Sequence, residues 1–352
     1  MPKTPSTSHA AVRPLFLTTF VLVFGAIAAL FAIDMFLAKV ERAETAAQAA
    51  RLYNEGKQLA AAGRYNNAIV SLRAALAISR DNTGYQLALA NALLSAGKLD
   101  DTESLLRDLL QHDATDGQAN LLMARALARQ QRIAEAESYY HMAIYGRWPR
   151  DAGAHRIEAR FELIDLLVKI DAKQELLAEL LPLQDEPLTD SAMRARVARL
   201  FLLAGSPARA ADIFRQIVRH EHQDGDAYAG LGEAEFARGN YRTAESVLVV
   251  ALRLKPGDAQ LRKDLEVSDE VVGMDPTARG LTPAQRLARS RKLVQALLDD
   301  ARKCNLPATA RPGPATDANF ATAEKLWQAR KASCPGSPPS PALAIVMDKI
   351  AE

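Results

Sequence analysis

The sequence predicts an all-α protein with a long apolar N-terminal helix, a helical solenoid of about six repeats and a small helical C-terminal appendage. Three observations support this fold class. The 352-residue chain is rich in Ala and Leu, which favour helix. It has no alternating Val/Ile/Thr run of useful length. Its landmark residues recur every 34 residues between Ala49 and Pro256, a period typical of stacked helix–turn–helix units.

The N-terminal segment predicts a membrane anchor. Residues 14–33 carry no charge over twenty positions, which is enough to span a bilayer as a helix. A cleaved signal peptide is one alternative, but its apolar core usually has only about 7–15 residues. A buried core helix is another, but no amphipathic face is visible. We therefore expect a retained anchor over 14–39, preceded by a disordered polar tail at 1–13.

The orientation of the anchor follows from weaker signals. Lys3 and Arg13 precede the span, and Lys39 and Arg42 follow it, so the positive-inside count is nearly tied. The short tail before a single anchor favours a cytoplasmic N-terminus and an exported body, periplasmic if the cell is bacterial. Residues 40–48 look helical, so we expect the anchor helix to run directly into the first repeat.

The 34-residue period has a physical interpretation within each repeat. Small residues recur where the two helices of a pair must approach closely, since a large side chain there would push the helices apart. Glycines recur after the first helix, where a left-handed C-cap is wanted. The small positions are Gly56, Ala90, Ala124, Ala198 and Gly232, and the turn positions are Gly63, Gly97, Gln131, Asp171, Gly205 and Gly239.

This pattern resembles the tetratricopeptide repeat. The last copy carries the motif most fully, with Tyr228, Leu231, Gly232, Gly239, Asn240, Tyr241, Ala244, Leu248, Ala251 and Pro256. The resemblance covers about residues 49–256, and one step of 40 residues predicts six extra residues near 146–152. It implies that the first helix of each pair lines a concave groove that takes a peptide or helix of a partner protein.

The resemblance also gives candidate groove residues. One set of candidates faces outward from the first helix of each repeat, one position after the small residue. Aromatic residues at two other outward positions of the same helices are added to this set. The alternative is that the apolar members pack between repeats and the charged members form a solvated face. Only Lys57 and Asn91 fit the set with which one subgroup of the family clamps a terminal carboxylate, so that mode is not claimed. The candidates are Tyr53, Lys57, Asn91, Arg125, Phe161, Asp165, Arg199, Glu233 and Phe236.

The six-residue insertion places Trp148 between Arg147 and Arg150. One interpretation is a longer loop between repeats, with the indole packed on the solenoid. The other is an exposed aromatic contact for a partner.

The C-terminal part is expected to be helical throughout. Residues 258–270 resemble a first helix but carry Glu266 where a small residue is required, which predicts a capping helix with a polar outer face. A linker at 272–281 and an N-cap at Thr282 with Pro283 behind it lead into a helix that ends near 303. Residues 273–352 carry 12 basic against 7 acidic residues, so this helix lies on anionic lipid or, as we favour, packs with a solvated basic side. Two further helices are expected, at about 318–332 and from about Pro341.

The two cysteines, Cys304 and Cys334, both fall at predicted helix ends. We favour one disulfide that closes the appendage, which agrees with an oxidising compartment, over two unrelated thiols.

Catalytic chemistry is not indicated. No metalloprotease, phosphate-loop, dinucleotide-binding or nucleophile-elbow motif occurs, and we expect no catalytic, cofactor-binding or metal-binding residues. His220-Glu221-His222 lies at the end of a second helix, where it caps carbonyls or is solvated. The net charge of +2 does not favour nucleic acid.

The domain plan and function follow from these elements. The chain divides into the tail at 1–13, the anchor at 14–39, the solenoid with its cap at 40–272 and the appendage at 273–352. We expect a membrane-anchored, non-enzymatic scaffold that binds protein partners, in envelope complex assembly. The alternatives are a permanent structural subunit of a secretion- or pilus-type complex, and an enzyme with a site in the appendage. The sequence does not set the partner or the oligomeric state.

Overall fold

The structure of the protein is a computed structural model. Within the described residues it contains 16 α-helices, one short 3-10 helix and no strand, so the predicted all-α fold class is confirmed. The chain divides into two compact units, Met1–Leu166 and Leu167–Glu352. The described residues are 13–184, 190–303, 316–333 and 338–351, with side chains described at 20–184, 190–300, 321–332 and 338–351.

The first helix, α1, runs without interruption over Arg13–Ala61. At about 1.5 Å per residue its 49 residues reach roughly 73 Å. From Phe20 onward the apolar part has a mean hydropathy of 2.5 and none of it is buried, which makes it a candidate membrane span. Residues 40–48 are helical as expected, so one helix joins the candidate span to the first repeat. The tail predicted at 1–13 lies outside the described residues, apart from Arg13.

Unit 1 is built from helix pairs, and from α1 to α6 each helix packs on the next along the chain. The C-terminal part of α1 pairs with α2, and the linkers within a pair hold three residues at 62–64, 96–98 and 130–132. Such short connections make the paired helices antiparallel. The helices are α2 Tyr65–Ile78, α3 Thr83–Ser95, α4 Leu99–His112, α5 Gly117–Arg129, α6 Ile133–Tyr145 and α7 Ala152–Lys169, the last of which crosses the boundary between the units.

The turn inside each pair has the predicted left-handed residue. After α3, for example, the Lys98 N–H donates to the Leu93 carbonyl at 3.0 Å, which closes the helix end. Glycine adopts positive φ without a Cβ clash, whereas the two other residues at this place carry strain. The six φ angles are 73° at Gly63, 74° at Gly97, 63° at Gln131, 55° at Asp171, 72° at Gly205 and 76° at Gly239.

The predicted small residues do mark close helix crossings. A Cβ on Gly56 would lie 2.6 Å from Leu72 Cγ, and one on Gly232 would lie 2.5 Å from Leu248 Cδ2. Ala90, Ala124 and Ala198 are completely buried at the corresponding places. A larger side chain at any of these positions would overpack the helix pair and lower the free energy of unfolding by about 1–3 kcal/mol.

The six-residue insertion falls partly in a linker and partly in α7. The linker at 146–151 is only two residues longer than the four-residue linker at 113–116. Most of the extra sequence lengthens α7, which has 18 residues where α5 has 13. The expected longer loop between repeats, which holds Trp148, is therefore present at 146–151, and the residues from Ala152 onward lie in α7.

Unit 2 continues the same pattern after a short helix. Helix α8 has only 8 residues and is followed by a 3-10 turn, whereas α10 and α12 have 14 each. From α8 to α13 each helix packs on the next. The elements are α8 Lys173–Leu180, the 3-10 helix Leu181–Gln184, α9 Ser191–Leu203, α10 Pro207–His220, α11 Gly225–Ala237, α12 Tyr241–Leu254, α13 Ala259–Met274, α14 Pro283–Lys303, α15 Thr316–Ser333 and α16 Pro341–Ala351.

The capping helix α13 corrects two expectations. It continues to Met274 rather than ending near residue 270, so residues 272–274 are helix and not linker. Its outer face is not simply polar, because Val271 and Met274 are buried in one cluster with α14, α15 and α16. The helix therefore packs on α12 at one side and supports the appendage at the other.

Helix α14 starts with the predicted cap. The Gln285 N–H donates to Thr282 Oγ1 at 3.2 Å, and the Thr282 N–H donates to Gln285 Oε1 at 2.9 Å. These reciprocal bonds form a capping box. The apolar side of α14 is buried rather than free for lipid, as favoured: Leu293, Val294, Leu297 and Leu298 pack with Ala323, Leu326, Trp327, Ala342, Leu343, Val346 and Met347.

Two ion pairs join the helices of the appendage. Arg330 Nε of α15 donates to Asp300 Oδ2 of α14 at 2.6 Å, with both side chains largely buried. Lys349 Nζ of α16 donates to Asp275 Oδ2 at 2.5 Å. Cys304 and Cys334 lie outside the described residues, so the predicted disulfide stays a prediction.

Candidate partner-binding site

The first helices of unit 1 border an open cavity of about 540 Å³. Tyr53 and Lys57 reach it from α1, and Asn91 reaches it from α3. The volume lies in the range of small-ligand and side-chain pockets, about 300–1,000 Å³. The other lining residues are Ala60, Ala61, Tyr65, Leu72, Gly84, Leu87, Ala88, Ala92, Ser95 and Gln118.

An aromatic pair stands at this cavity. The rings of Tyr53 and Tyr85 are stacked with centroids 4.6 Å apart and an interplanar angle of 24°. Lys57 Nζ lies 5.5 Å from the Tyr53 centroid, within cation–π range. The stack fixes the Tyr53 ring, and Lys57 is the one charged side chain among the lining residues. The arrangement offers an apolar wall with hydrogen-bonding groups at its edge.

The sequence found three members of this site and missed others. Tyr53, Lys57 and Asn91 were identified by the repeat register, and the structure brings them together. Gln118 and Tyr85 were missed because they lie in the first turns of α5 and α3. The repeat positions from which the candidates were taken all lie further along these helices. A search for polar and aromatic residues in those first turns could have found both.

Arg125 has a different environment from Lys57. Its Nη2 and Nε donate to the two carboxylate oxygens of Glu162 at 2.5 and 2.9 Å, and Nη2 also donates to Glu158 at 3.1 Å. The hydrogen bonds that Arg125 donates to Glu162 raise the pKa of the guanidinium despite partial burial. Tyr140 donates its hydroxyl to Glu162 at 3.3 Å, and burial raises the pKa of that phenol. Arg125 thus ties α5 to α7, and its role toward a partner remains a prediction.

Two predicted groove residues lie on α7. Phe161 is only 6% exposed and its ring contributes to the core, as Leu87 does at 8% beside the unit 1 cavity. Its role toward a partner remains a prediction. Asp165 has an exposed side chain and takes part in an interaction within the chain.

In unit 2 the predicted residues form a charged group. Arg199 and Lys255 both face Asp226, at 4.0 and 2.6 Å, and the hydrogen bond from Lys255 lowers the pKa of that carboxyl. Glu233 is exposed, yet neighbouring helices partly desolvate its carboxyl, which together with the charge of Asp264 raises its pKa. This group therefore carries both signs of charge.

Phe236 is used inside unit 2. Its ring meets Tyr241 edge-on, with centroids 5.3 Å apart and an angle of 89°. It also packs against the buried cluster of Ala229, Ala244, Leu248 and Leu261. Only part of its surface faces solvent, so its assignment as a partner contact remains a prediction.

Trp148 is packed on unit 1. Its indole N–H donates to the Ala143 carbonyl at 2.9 Å, and its ring stacks on His155 with centroids 4.5 Å apart. The ring lies so close to Gly117 that a Cβ there would be 2.4 Å away. Two backbone bonds, Gly117 N to Arg147 O and Arg147 N to Thr115 O, hold the segment in place. Its use as a contact loop remains a prediction.

The histidine cluster has a structural role. His222 Nδ1 lies 2.8 Å from the Val218 carbonyl, so it binds the C-terminal end of α10 as one of our two interpretations expected. Within the described residues no group of three or more His, Cys, Asp or Glu side chains could hold a metal ion.

The fold and the groove define a helical-repeat protein of the kind that binds other proteins. A sequence model described as Tetratricopeptide repeat matches residues 59–106, 93–144 and 201–263. These matches lie within the segment where the 34-residue period and the left-handed turns occur. Residues 59–144 and 201–263 are therefore tetratricopeptide repeats.

The chain is also similar to several solved structures. YrrB, described as a TPR protein with an unusual peptide-binding site, is 18% identical, with a TM-score of 0.43 over 56% of this chain and 97% of that chain. PilW, a type IV pilus biogenesis factor, is 17% identical, with a TM-score of 0.40 over 62% and 98%. The C-terminal part of a TPR protein from Cytophaga hutchinsonii is 12% identical, with a TM-score of 0.45 over 84% and 99%. No curated protein sequence matches the chain.

Proposed function

We propose that the protein is a membrane-anchored scaffold that binds a segment of a partner protein in the unit 1 cavity, and that it serves assembly of a complex in the cell envelope. Tetratricopeptide repeats point to a protein–protein interaction scaffold.

One observation carries the proposal: α1 supplies both the candidate span and one wall of the cavity. From Asp34, where the uncharged run ends, to Tyr53 there are 19 residues, or about 28 Å of continuous helix. A partner bound beside Tyr53 and Lys57 is thus held about one bilayer thickness from the membrane. Anchoring raises the local concentration of the scaffold for partners at the same surface.

The lining chemistry indicates the type of segment bound. The Tyr53–Tyr85 stack and the Ala/Leu floor suit an apolar side chain of the partner, and Asn91 and Gln118 suit its backbone groups. An extended or helical segment fits such a groove. No catalytic arrangement is needed for this role.

Site-specific photo-cross-linking in cells tests the binding site. A photoreactive residue at Asn91, exposed beside the cavity, is compared with one at Val70, which is 69% exposed on α2 and does not line the cavity. We expect a discrete cross-linked protein from Asn91 only, and its loss in Tyr53→Ala. Equal products from both positions, or products unaffected by Tyr53→Ala, would contradict the proposal.

Cysteine labelling tests the proposed topology. Maleimide added to intact cells and to lysed cells reads out the compartment of Cys304 and Cys334. Reaction that appears only after reductant and without lysis of the inner membrane supports an exported, disulfide-closed body. Free thiols that react only after lysis reverse the topology and remove the disulfide from the proposal.

A further inference from the structure

A second cavity, in unit 2, lies where the last repeat meets the appendage. It has a volume of about 380 Å³ and differs in character from the unit 1 cavity, because most of its charged lining residues are basic. Four separate elements supply the walls: the start of α12, the end of α13 with the loop behind it, α14 and α16. The charged lining residues are Arg242, Arg279, Arg289, Lys349 and Asp275.

The positive charge of this cavity is not balanced by the side chains that line it. Asp275 is the one carboxylate in the lining, and Lys349 Nζ already binds it at 2.5 Å. Within the part of the chain that the structure describes, Arg289 donates only to the Asp275 backbone carbonyl, at 3.2 Å. Arg242 and Arg279 form no hydrogen bond or ion pair with the described residues. Three guanidinium groups therefore border one cavity without a carboxylate partner of their own among those residues.

The walls of the cavity are held in place independently of a ligand. The Asp275 carboxylate accepts from the backbone N–H and hydroxyl of Thr277, at 2.8 and 2.6 Å, which fixes the loop that carries Arg279. The buried contacts of Val271 with α14 and α16 fix the opposite wall. Such a preformed site loses little conformational entropy when a ligand binds.

We propose that this cavity binds a small, multiply charged anion of the phosphate class. Guanidinium groups bind phosphate oxygens in pairs with fixed geometry, and Arg is favoured for such sites over Lys. The cavity is large enough for a diphosphate or for a phosphate with an organic substituent. The site gives a function to part of the basic excess of residues 273–352 and does not depend on the partner site in unit 1.

Titration calorimetry of the full-length protein in neutral detergent tests the site. Sodium pyrophosphate is the probe, with sodium chloride at matched ionic strength as the reference. We expect saturable binding of one pyrophosphate per chain. The absence of saturable binding above the sodium chloride reference overturns the proposal.

Matched variants separate the site from general attraction to a basic surface. Arg242→Gln and Arg279→Gln each remove a guanidinium without an intrachain partner, so folding should persist, and each should weaken binding about tenfold. Arg279→Lys keeps the charge but loses the paired donors, so its affinity for pyrophosphate should lie between those of Arg279→Gln and the unmodified chain. Arg291→Gln removes the same charge from an exposed position on α14 outside the cavity, and should bind as the unmodified chain does. Equal weakening in Arg291→Gln would overturn the proposal.

A second probe distinguishes the source of the phosphate. Short-chain phosphatidic acid is titrated in the same detergent. Tighter binding than pyrophosphate, sensitive to Arg242→Gln, assigns the site to a lipid headgroup. Weaker binding, with pyrophosphate still sensitive to that variant, assigns it to a soluble phosphate compound.

Discussion

The repeats and the appendage build their cores by different means. In the repeats, the close crossings join the two helices of one pair, as between Gly56 and Leu72 and between Gly232 and Leu248. In the appendage, the core and its ion pairs join residues far apart in sequence: Asp275 binds Lys349 across 74 residues. The repeats should therefore respond to mutation locally, whereas the appendage should respond as one unit.

The largest expected effect is the loss of the appendage core in Trp327→Ala. Trp327 is 4% exposed within the cluster formed by α13–α16, and truncation of such a buried aromatic costs about 3–5 kcal/mol. Hydrogen exchange should show lost protection in α14, α15 and α16 together, with α2–α6 unchanged.

Lys331→Ala is the matched control for Trp327→Ala. Lys331 is exposed and its Nζ lies 5.1 Å from the Trp327 centroid, so its loss should change stability by less than about 1 kcal/mol. If Trp327→Ala lowers protection in α2–α6 as much as in α14–α16, the distinction between the two regions fails.

A second prediction concerns a close crossing in the repeats. Gly232→Ala places a Cβ 2.5 Å from Leu248 Cδ2, and the overpacking should cost about 1–3 kcal/mol. Protection should fall in α11 and α12 while α14–α16 keep theirs. Gly153→Ala, on α7 with open space around the new methyl, should be neutral or stabilising.

The double variant Gly232→Ala/Leu248→Ala sharpens this test. Removal of the Leu248 side chain makes room for the methyl group, so the double variant should be more stable than the two separate costs predict. Strict additivity of the two changes would mean that the crossing does not limit the size of residue 232.

A third prediction uses pH to compare an ion pair whose carboxylate is buried with one whose carboxylate is exposed. Burial raises the pKa of Asp275, but the hydrogen bonds from Lys349 and Thr277 outweigh it and leave the pKa below its ordinary value of 3.8. A lowered acid pKa means that the folded state binds the proton more weakly than the unfolded state. The pair therefore contributes stability above pH 3.8, and this contribution is lost as the pH falls through the folded-state pKa.

Asp275→Asn should reduce stability at neutral pH and flatten the acid limb of the stability curve, measured by thermal unfolding from neutral pH to pH 2. Asp226→Asn is the control in the repeats. Asp226 also has a lowered pKa through its hydrogen bond with Lys255, but its side chain is 64% exposed, so its effect should stay within about 1 kcal/mol. If both variants changed the stability at acid pH equally, burial of the carboxylate would not explain a difference between the two ion pairs.

The smallest expected effect lies in the turns. Gln131 holds φ 63° where four other repeats have glycine. Gln131→Gly should relieve the strain and stabilise unit 1 by about 0.5–1 kcal/mol, seen as a rise in Tm. The reverse change, Gly97→Gln, at the same turn of the preceding repeat, should lower Tm. No change in either variant would mean that the left-handed turn does not contribute to stability.

Local physics explains why so much of the fold could be predicted from the sequence. The capping box of Thr282 and Gln285, the glycine turns and the unbroken course of α1 depend on residues within a few positions of each other. The end of α13 was missed because distant helices stabilise residues 272–274. This error arose where packing overrode a pattern carried along the chain.

The sequence by itself determined the helix pairs, their turns, the close crossings and the apolar length of α1, because backbone sterics and helix period act over one repeat or less. Only the tertiary structure decided which charges meet. Arg125 reaches Glu162 rather than solvent, and Arg289 and Lys349 come from separate helices to one cavity. Contacts between side chains tens of residues apart depend on how whole helices pack, and a repeat spacing does not record that packing.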